Sequence, residues 1–301
     1  SGIWPDGRWQ KTDRRSKLED GSKVNEKTFN FPLPSAVTTC YSLLSMGKPN
    51  KIRSLRMQQK EKEIKFFDKS VEESEWDWVG NLGYRRILYC FENLVKPQKG
   101  EKLLDMGCCT GEFLFRLKKY NLNLTGIDIS EKALDIAKNK DKDIIFLQGD
   151  IEKTKFKDET FDIITLATVL HHFPEPSCLL REIHRILKPS GRLFGYDPNY
   201  RHPIMYLFRA EASPFYSTRN KTENEVLLKK EDIEKNFHNS DFENVTIFSI
   251  SGITYKLKYF KKLFRFPIYL SVYLYNLFER LLMLPFLQKR IGSFLITYAQ
   301  K

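Results

Sequence analysis

Six polar side chains stand where chemistry is done. Asp105, Asp128 and Asp150 close three short apolar runs, and His171, His172 and Asp197 follow two later ones. Asp105 stands within "LDMGCCTGEF", where Gly107 and Gly111 enclose Cys108, Cys109 and Thr110. A glycine turn from a strand into a helix lets backbone N–H groups and the helix N-terminus approach a ligand closely. Asp128 stands 21 residues beyond Gly107 (128 minus 107), where a carboxylate can accept both hydroxyls of a ribose. Asp150, at the end of the next run, is placed to reach an adenine amino group. Three acids on one crevice suit a ligand with a ribose, an adenine and a cationic amino acid, and they repel a pyrophosphate. The plainer alternatives are that Asp128 caps the next helix and Asp150 sits in a turn.

Other loop chemistries fit less well. The Lys-Ser or Lys-Thr of a triphosphate-binding loop is missing, and Cys109 and Glu112 stand at the second and third glycine positions of the dinucleotide fingerprint. Adjacent cysteines do not by themselves chelate a metal, and no CxxC or HxxxH accompanies them, so no metal site is expected. Small polarizable residues in a tight turn are the simpler account.

His171 and His172 are candidates for a base, because imidazole titrates near neutral pH. Adjacency suggests that only one of the two points into a site; the alternative is a packing or helix-capping role. Asp197 is a second candidate, with a turn before Pro198 as its alternative. Tyr196, Asn199, Tyr200 and His202 are candidate pocket-lining residues.

The elements that must hold these residues alternate regularly. "EKLLDMGC", "LNLTGIDIS", "IIFLQGDI", "FDIITLATVLHHF" and "GRLFGYDP" read as strands. "GEFLFRLKKY", "EKALDIAKNK" (with Ser130 as N-cap) and "PSCLLREIHRIL" (stopped by Pro189) read as helices. Such alternation implies a parallel sheet with helices on both faces. Upstream, Ile87, Leu88, Phe91 and Leu94 share a helical face, and Pro97 and Gly100 end that segment. Downstream, 200–230 reads as irregular, "KKEDIEKNF" as a helix, "FENVTIFSI" as a strand, 256–290 as helical and "SFLITYAQK" as a closing strand.

"LLDMGCCTGEF", "LTGIDIS", "IIFLQGDIEK", "FDIITLATVLHHF" and "LREIHRILKPSGRL", in that order, resemble the successive motifs of class I S-adenosylmethionine-dependent methyltransferases. The resemblance covers residues 60 to 200 well and is nearest the branch acting on small molecules, quinones and lipids. It implies an α/β, Rossmann-like, doubly wound and mostly parallel seven-stranded sheet with an antiparallel last strand, a helical N-terminal cap and a helical C-terminal insertion. It implies S-adenosylmethionine as cofactor. Asp105, Gly107, Cys109 and Gly111 would hold its methionine portion, with Ala167 near the amino group. Asp128 would take the ribose hydroxyls, Ile129 would lie against the adenine, and Asp150 and Ile151 would contact its edge. Cys109 departs from the family's middle glycine, which puts at stake only the strength or shape of cofactor binding.

At 301 residues with 41% hydrophobic content, the chain can bury one large core. Its five cysteines show no disulfide spacing, which points to a reducing compartment and a cytoplasmic location. Residues 1–56 read as a polar tail, disordered or foreign to the native fold, without a secretory leader; Ser1 is not a start residue, and Met46 and Met57 are candidate starts. The remaining division is a helical cap over 57–100 and a methyltransferase domain over 101–301, with a substrate-side insertion at 200–240. The net charge of +12 admits an anionic partner, although a lysine-rich solvated surface also explains it. Nucleic acid is disfavoured, because the place after the fourth strand reads "ATVLHH" and lacks the Asn/Asp-Pro-Pro-aromatic motif of base amino-methyltransferases. Residues 256–290 open with five cations in ten residues and continue apolar and aromatic, which suits peripheral membrane contact, a greasy substrate lid, a packed insertion or a homodimer face. The expected activity is methyl transfer to a small or lipid-like acceptor at oxygen. RNA methylation and non-catalytic cofactor binding are the alternatives.

Overall fold

The computed structural model of the chain describes residues 49–72, 79–214, 216, 221–252 and 268–301. All belong to the compact unit Pro34–Lys301. Seven strands form one sheet: β1 Lys102–Met106, β2 Asn123–Asp128, β3 Ile145–Gln148, β4 Phe161–Ala167, β5 Leu187–Pro198, β6 Glu243–Ile250 and β7 Phe294–Gln300. Their order is β3-β2-β1-β4-β5-β7-β6. The first five run parallel, and β7 lies antiparallel between β5 and β6.

The chain winds outward from β1 to β3, then returns to β4 on the other side of β1. At such a switch point the loops leaving neighbouring strands diverge and open a crevice at their carboxyl ends. The central strands β1 and β4 are largely apolar because both of their faces are covered, whereas the edge strand β3 leaves Ile145 and Leu147 exposed. Leu103, Ile163 and Phe194 face one layer, packed with Ile87 and Phe91 of α2 (Asn81–Val95) and Leu114 of α3 (Glu112–Leu117). Their neighbours Leu104, Ile164 and Leu193 face the other layer, with Leu180 and Ile183 of α5 (Ser177–Ile186) and Phe237 of α7 (Lys230–His238). Helix α4 (Glu131–Lys140) starts at Ser130, whose hydroxyl accepts from the Ala133 N–H at 3.2 Å.

Several elements differ from the sequence reading. Helix α1, Pro49–Glu72, begins within the stretch read as tail; residues 1–48 lie outside the described residues. The buried face of α2 runs through Tyr84, Ile87, Phe91 and Val95, which leaves Leu88 and Leu94 only partly covered. Strand β4 stops at Ala167, and Leu170–His172 form a 3-10 turn. Helix α5 ends before Leu187, where β5 already begins, so Pro189 lies in a strand. Residues 200–230 contain a helix, α6 (Pro203–Arg209), opened by its proline.

The C-terminal insertion contains α8 (Ile268–Leu281) and α9 (Pro285–Ile291). Lys256, Lys258, Lys261, Lys262, Phe264, Arg265 and Phe266 lie outside the described residues, as does the side chain of Tyr269. Glu279, mid-run in an apolar stretch, is buried. Its carboxylate accepts from Tyr275 Oη at 2.8 Å, the Gly252 N–H at 2.8 Å and Ser293 Oγ at 2.5 Å, and it lies 3.0 Å from His202 Nε2. Burial works against this charge, but those donors and the imidazole outweigh it and hold the carboxyl below its usual range. His202 is therefore an anchor for α8 rather than a pocket residue. Asn199 is likewise structural, donating from Nδ2 to the Gly292 carbonyl at 2.7 Å.

Candidate active site

The glycine turn after β1 takes left-handed conformations, with φ of 75° at Gly107, 48° at Cys109 and 80° at Gly111. A Cβ on Gly107 would lie 2.8 Å from Val169 Cγ2, so only glycine lets the turn pass this close to the exit of β4. Cys108 is buried against β2: a Cβ on Gly126 would lie 2.7 Å from its sulfur, and glycine clears that space. Cys109 carries a side chain in a conformation that costs an L-residue about 1–2 kcal/mol. Its N–H compensates by donating to Asp128 Oδ2 at 2.7 Å. Burial first, and then the charge of Asp128, push the Cys109 thiol well above its usual range. Both cysteines are free thiols, and they serve as packing and loop residues.

Asp105 is fully buried one residue before the end of β1. Thr165 of β4 donates to its Oδ1 at 2.6 Å, while Oδ2 is buried with no hydrogen-bond partner. Burial pushes this carboxyl up to about 7, and the neighbouring Asp128 adds to the rise. Asp128 ends β2 with both oxygens held, Oδ1 by the Ser130 N–H at 2.9 Å and Oδ2 by Cys109. It thus shapes the entry to α4 and still stands at the crevice. Asp150 lies in the turn beyond β3 rather than at its end, where Lys60 reaches Oδ2 at 2.5 Å and Glu152 at 2.6 Å. Ile151 packs into the core, Ile129 is half-buried, and Ala167 closes β4 beside Tyr196.

Both histidines are inward, contrary to the expectation of one. Their ring centroids are 4.1 Å apart. Asp197, inside β5 rather than after it, is 2.8 Å from His171 Nδ1 and also accepts the His171 N–H at 3.2 Å. Burial by itself lowers the His171 imidazole, but the Asp197 carboxylate outweighs it, so the net shift is upward. His172 faces Thr222 Oγ1 at 3.3 Å and Glu63 Oε2 at 3.6 Å. Burial, reinforced by His171, pushes it well below its usual range, so it stays neutral.

Sequence reasoning missed the contribution of α1. Lys60, Glu63, Phe67 and Asp68 fall at helical spacing on one face, and all four meet residues of the crevice loops. The signal in the sequence was an acid, Glu63, four residues before the aromatic Phe67. Tyr84 of α2 was also missed. It is hydrogen-bonded to Tyr196 and lies under the Arg116 guanidinium at 3.7 Å, and burial pushes its phenol up to about 12.

A family profile described as "Methyltransferase domain" matches residues 104–195, the stretch from the glycine turn through β5. Among curated proteins, demethylmenaquinone methyltransferases of Staphylococcus aureus strains MRSA252 and JH9 are 28% identical over 178 residues, covering 52% of this chain and 73% of theirs. Among solved structures, phosphoethanolamine N-methyltransferase 2 of Haemonchus contortus in complex with S-adenosylmethionine superposes with a TM-score of 0.54 at 17% identity, over 74% of this chain. The match spans only about half, 54%, of that longer protein. A Thermotoga maritima methyltransferase, described as a histamine N-methyltransferase candidate, gives a TM-score of 0.53 at 20% identity, over 78% of this chain and 98% of its own. Likeness at these identities speaks for the fold alone. The cradle itself suits a cationic nucleoside ligand, since a buried carboxylate oxygen lacks a donor and the turn excludes a Cβ. The profile, the curated relatives and the sheet order together support a class I S-adenosylmethionine-dependent methyltransferase.

Proposed function

We propose that the enzyme methylates a small or lipid-like acceptor at oxygen, with His171 as the base. The observation that carries this reading is the His171–Asp197 contact at the carboxyl ends of β4 and β5. When bound, S-adenosylmethionine supplies a methyl group on a positively charged sulfur. The chain's own residues do the rest. Asp105 offers its free oxygen to a cation, and Asp128 accepts from a ribose diol. The turn from Gly107 through Cys109 to Gly111 follows the ligand closely, with Ala167 beside it. Ile129, Asp150 and Ile151 form the adenine side, once Lys60 shares or yields Asp150. Asp197 orients His171 and stabilises its imidazolium as it takes the acceptor proton, while His172 stays neutral beside it. Incubation with methyl-labelled cofactor and a panel of phenols, amines and RNA tests the reading. Label is expected in ether products; label confined to amines or RNA would refute it.

We further propose that α8 and α9 touch an anionic membrane surface. Among the described residues, no helix is long and apolar enough to cross a bilayer. The outward face of α8 nevertheless exposes Tyr273, Leu274, Leu277 and Leu281, and Phe286 of α9 is 66% exposed. The exposed charges described between 273 and 291 are Arg280, Lys289 and Arg290, all positive, because the acid of this stretch, Glu279, is buried. Such cations contribute about 1 kcal/mol each near anionic lipid, and the apolar face adds burial. The protein is expected to sediment with anionic vesicles at low salt, less at high salt, and weakly with neutral ones. Equal recovery with both vesicle types, or a dimer that covers this face, would overturn the assignment.

A further inference from the structure

Helix α1 is tied across the crevice at three points. Lys60 holds Asp150 and Glu152, Lys62 reaches Glu223 at 2.7 Å, and Asp68 Oδ1 accepts from Ser130 Oγ at 2.6 Å. Between these ties the helix lowers Glu63 onto the histidine pair, and the Phe67 ring meets His172 edge-on at 5.3 Å. Glu63 Oε2 is buried without a hydrogen-bond partner, 3.6 Å from His172 Nδ1. A buried carboxylate oxygen that lacks a donor is costly unless a ligand brings one.

We propose that Glu63 binds the methyl acceptor, its free oxygen receiving a hydroxyl of the acceptor beside His172, so that the site takes neutral hydroxylated acceptors and turns away phosphorylated ones. The proposal rests on the oxygen-acceptor reading above and assigns the acceptor-side wall. The groups that face Glu63 are His171 and His172 on the turn after β4, and Thr222, Asn224 and Glu225 on the segment before α7. Behind His171 stands Asp197. Three carboxylates therefore surround the pair. Arg209, a cation on this side, lies 3.5 Å from Glu225. An incoming phosphate would meet like charge here, whereas a neutral hydroxyl meets an acceptor. Burial pushes Glu63 up to about 7, with the Thr222 bond opposing, so near neutral pH it can accept a charge-assisted hydrogen bond as carboxylate and accepts more weakly once protonated.

The test uses the full chain, 1,4-naphthohydroquinone as the neutral probe and phosphoethanolamine as the anionic one, each titrated while the histidine imidazole resonances are followed. The wild type is expected to bind the hydroquinone saturably, with affinity that rises as pH passes upward through about 7. Glu63→Gln keeps the shape and removes the charge. It should weaken hydroquinone binding roughly tenfold or more and flatten the pH dependence, with melting temperature and S-adenosylmethionine affinity unchanged. Glu63→Asp, one methylene shorter, should restore part of the affinity; if the Gln variant does not fold, unchanged affinity in the Asp variant refutes the proposal. It is also overturned if the wild type does not bind the hydroquinone, if Glu63→Gln binds it equally well, or if phosphoethanolamine displaces it. These readouts need no turnover. A site that binds the hydroquinone through Glu63 yet transfers methyl only to amines would sink the oxygen reading and leave Glu63 in place.

Discussion

Asp128→Ala is expected to weaken S-adenosylmethionine binding about thirtyfold. Charge-assisted hydrogen bonds from a ribose diol are worth on the order of 2 kcal/mol, and 1.4 kcal/mol is a factor of ten. The geometry adds a second loss. Asp128 Oδ1 and Oδ2 hold the N–H groups of Ser130 and Cys109, at 2.9 and 2.7 Å. Truncation therefore frees both the start of α4 and a turn already strained at Cys109, whose φ is 48°. Asp128→Asn retains one acceptor for Cys109 and should fall between wild type and Ala. Calorimetric titration with the cofactor decides the matter: an affinity within threefold of wild type in the Ala variant would mean that Asp128 is only a helix-entry residue.

The second large effect is expected at the histidine pair. His171→Ala should lower turnover by roughly a hundredfold or more with cofactor affinity little changed, as for loss of a general base. His172→Ala should lower it less, because burial and the neighbouring His171 make that ring a weak base and it has no carboxylate at bonding distance. Asp197→Asn separates orientation from charge. The amide oxygen can still accept the His171 N–H, but the imidazolium loses its counter-charge. The sign follows from the environment of His171: burial lowers its pKa, the Asp197 carboxylate raises it further, and the net is upward. A base must be neutral to act, so wild-type rate should climb as pH rises through this raised value. In Asp197→Asn burial is opposed only by the more distant Glu225 and Glu63, so the acidic limb should move to lower pH while the plateau rate falls. A limb that does not move, or near-normal rates in the double histidine variant, would leave alignment without base catalysis.

What could be read from the sequence were features encoded in short windows. Strand, turn and helix between Lys102 and Pro198 depend on local apolar runs, glycines and caps, and a parallel sheet covered on both faces follows from their alternation. The glycine turn and the aspartates at or near strand ends belong to the same class, because a strand's carboxyl end can be located from its own few residues. Ser130 was legible as a cap for that reason. The failures lie where a boundary depends on the neighbouring strand: β5 begins at Leu187 because Leu187 pairs with Phe161, a partner 26 positions away (187 minus 161).

The composition of the site, by contrast, depended on contacts between residues far apart in the chain. Asp197 is 26 residues from His171, Glu63 is 109 from His172 (172 minus 63), and Lys60 is 90 from Asp150. No local pattern pairs them, since a lone acid on a helix is as much at home in solvent as against an imidazole. The same holds for Glu279, which looks like an interruption in an apolar run until the fold surrounds it with His202, Tyr275, Ser293 and the Gly252 amide. The sequence by itself determined the sheet, the glycine turn and the acids along its rim, since each follows from steric and hydrogen-bonding preferences within a few residues. Only the tertiary structure decided which acids face which histidines and that α1 closes over them, because burying a charge is tolerable only where distant partners converge on it.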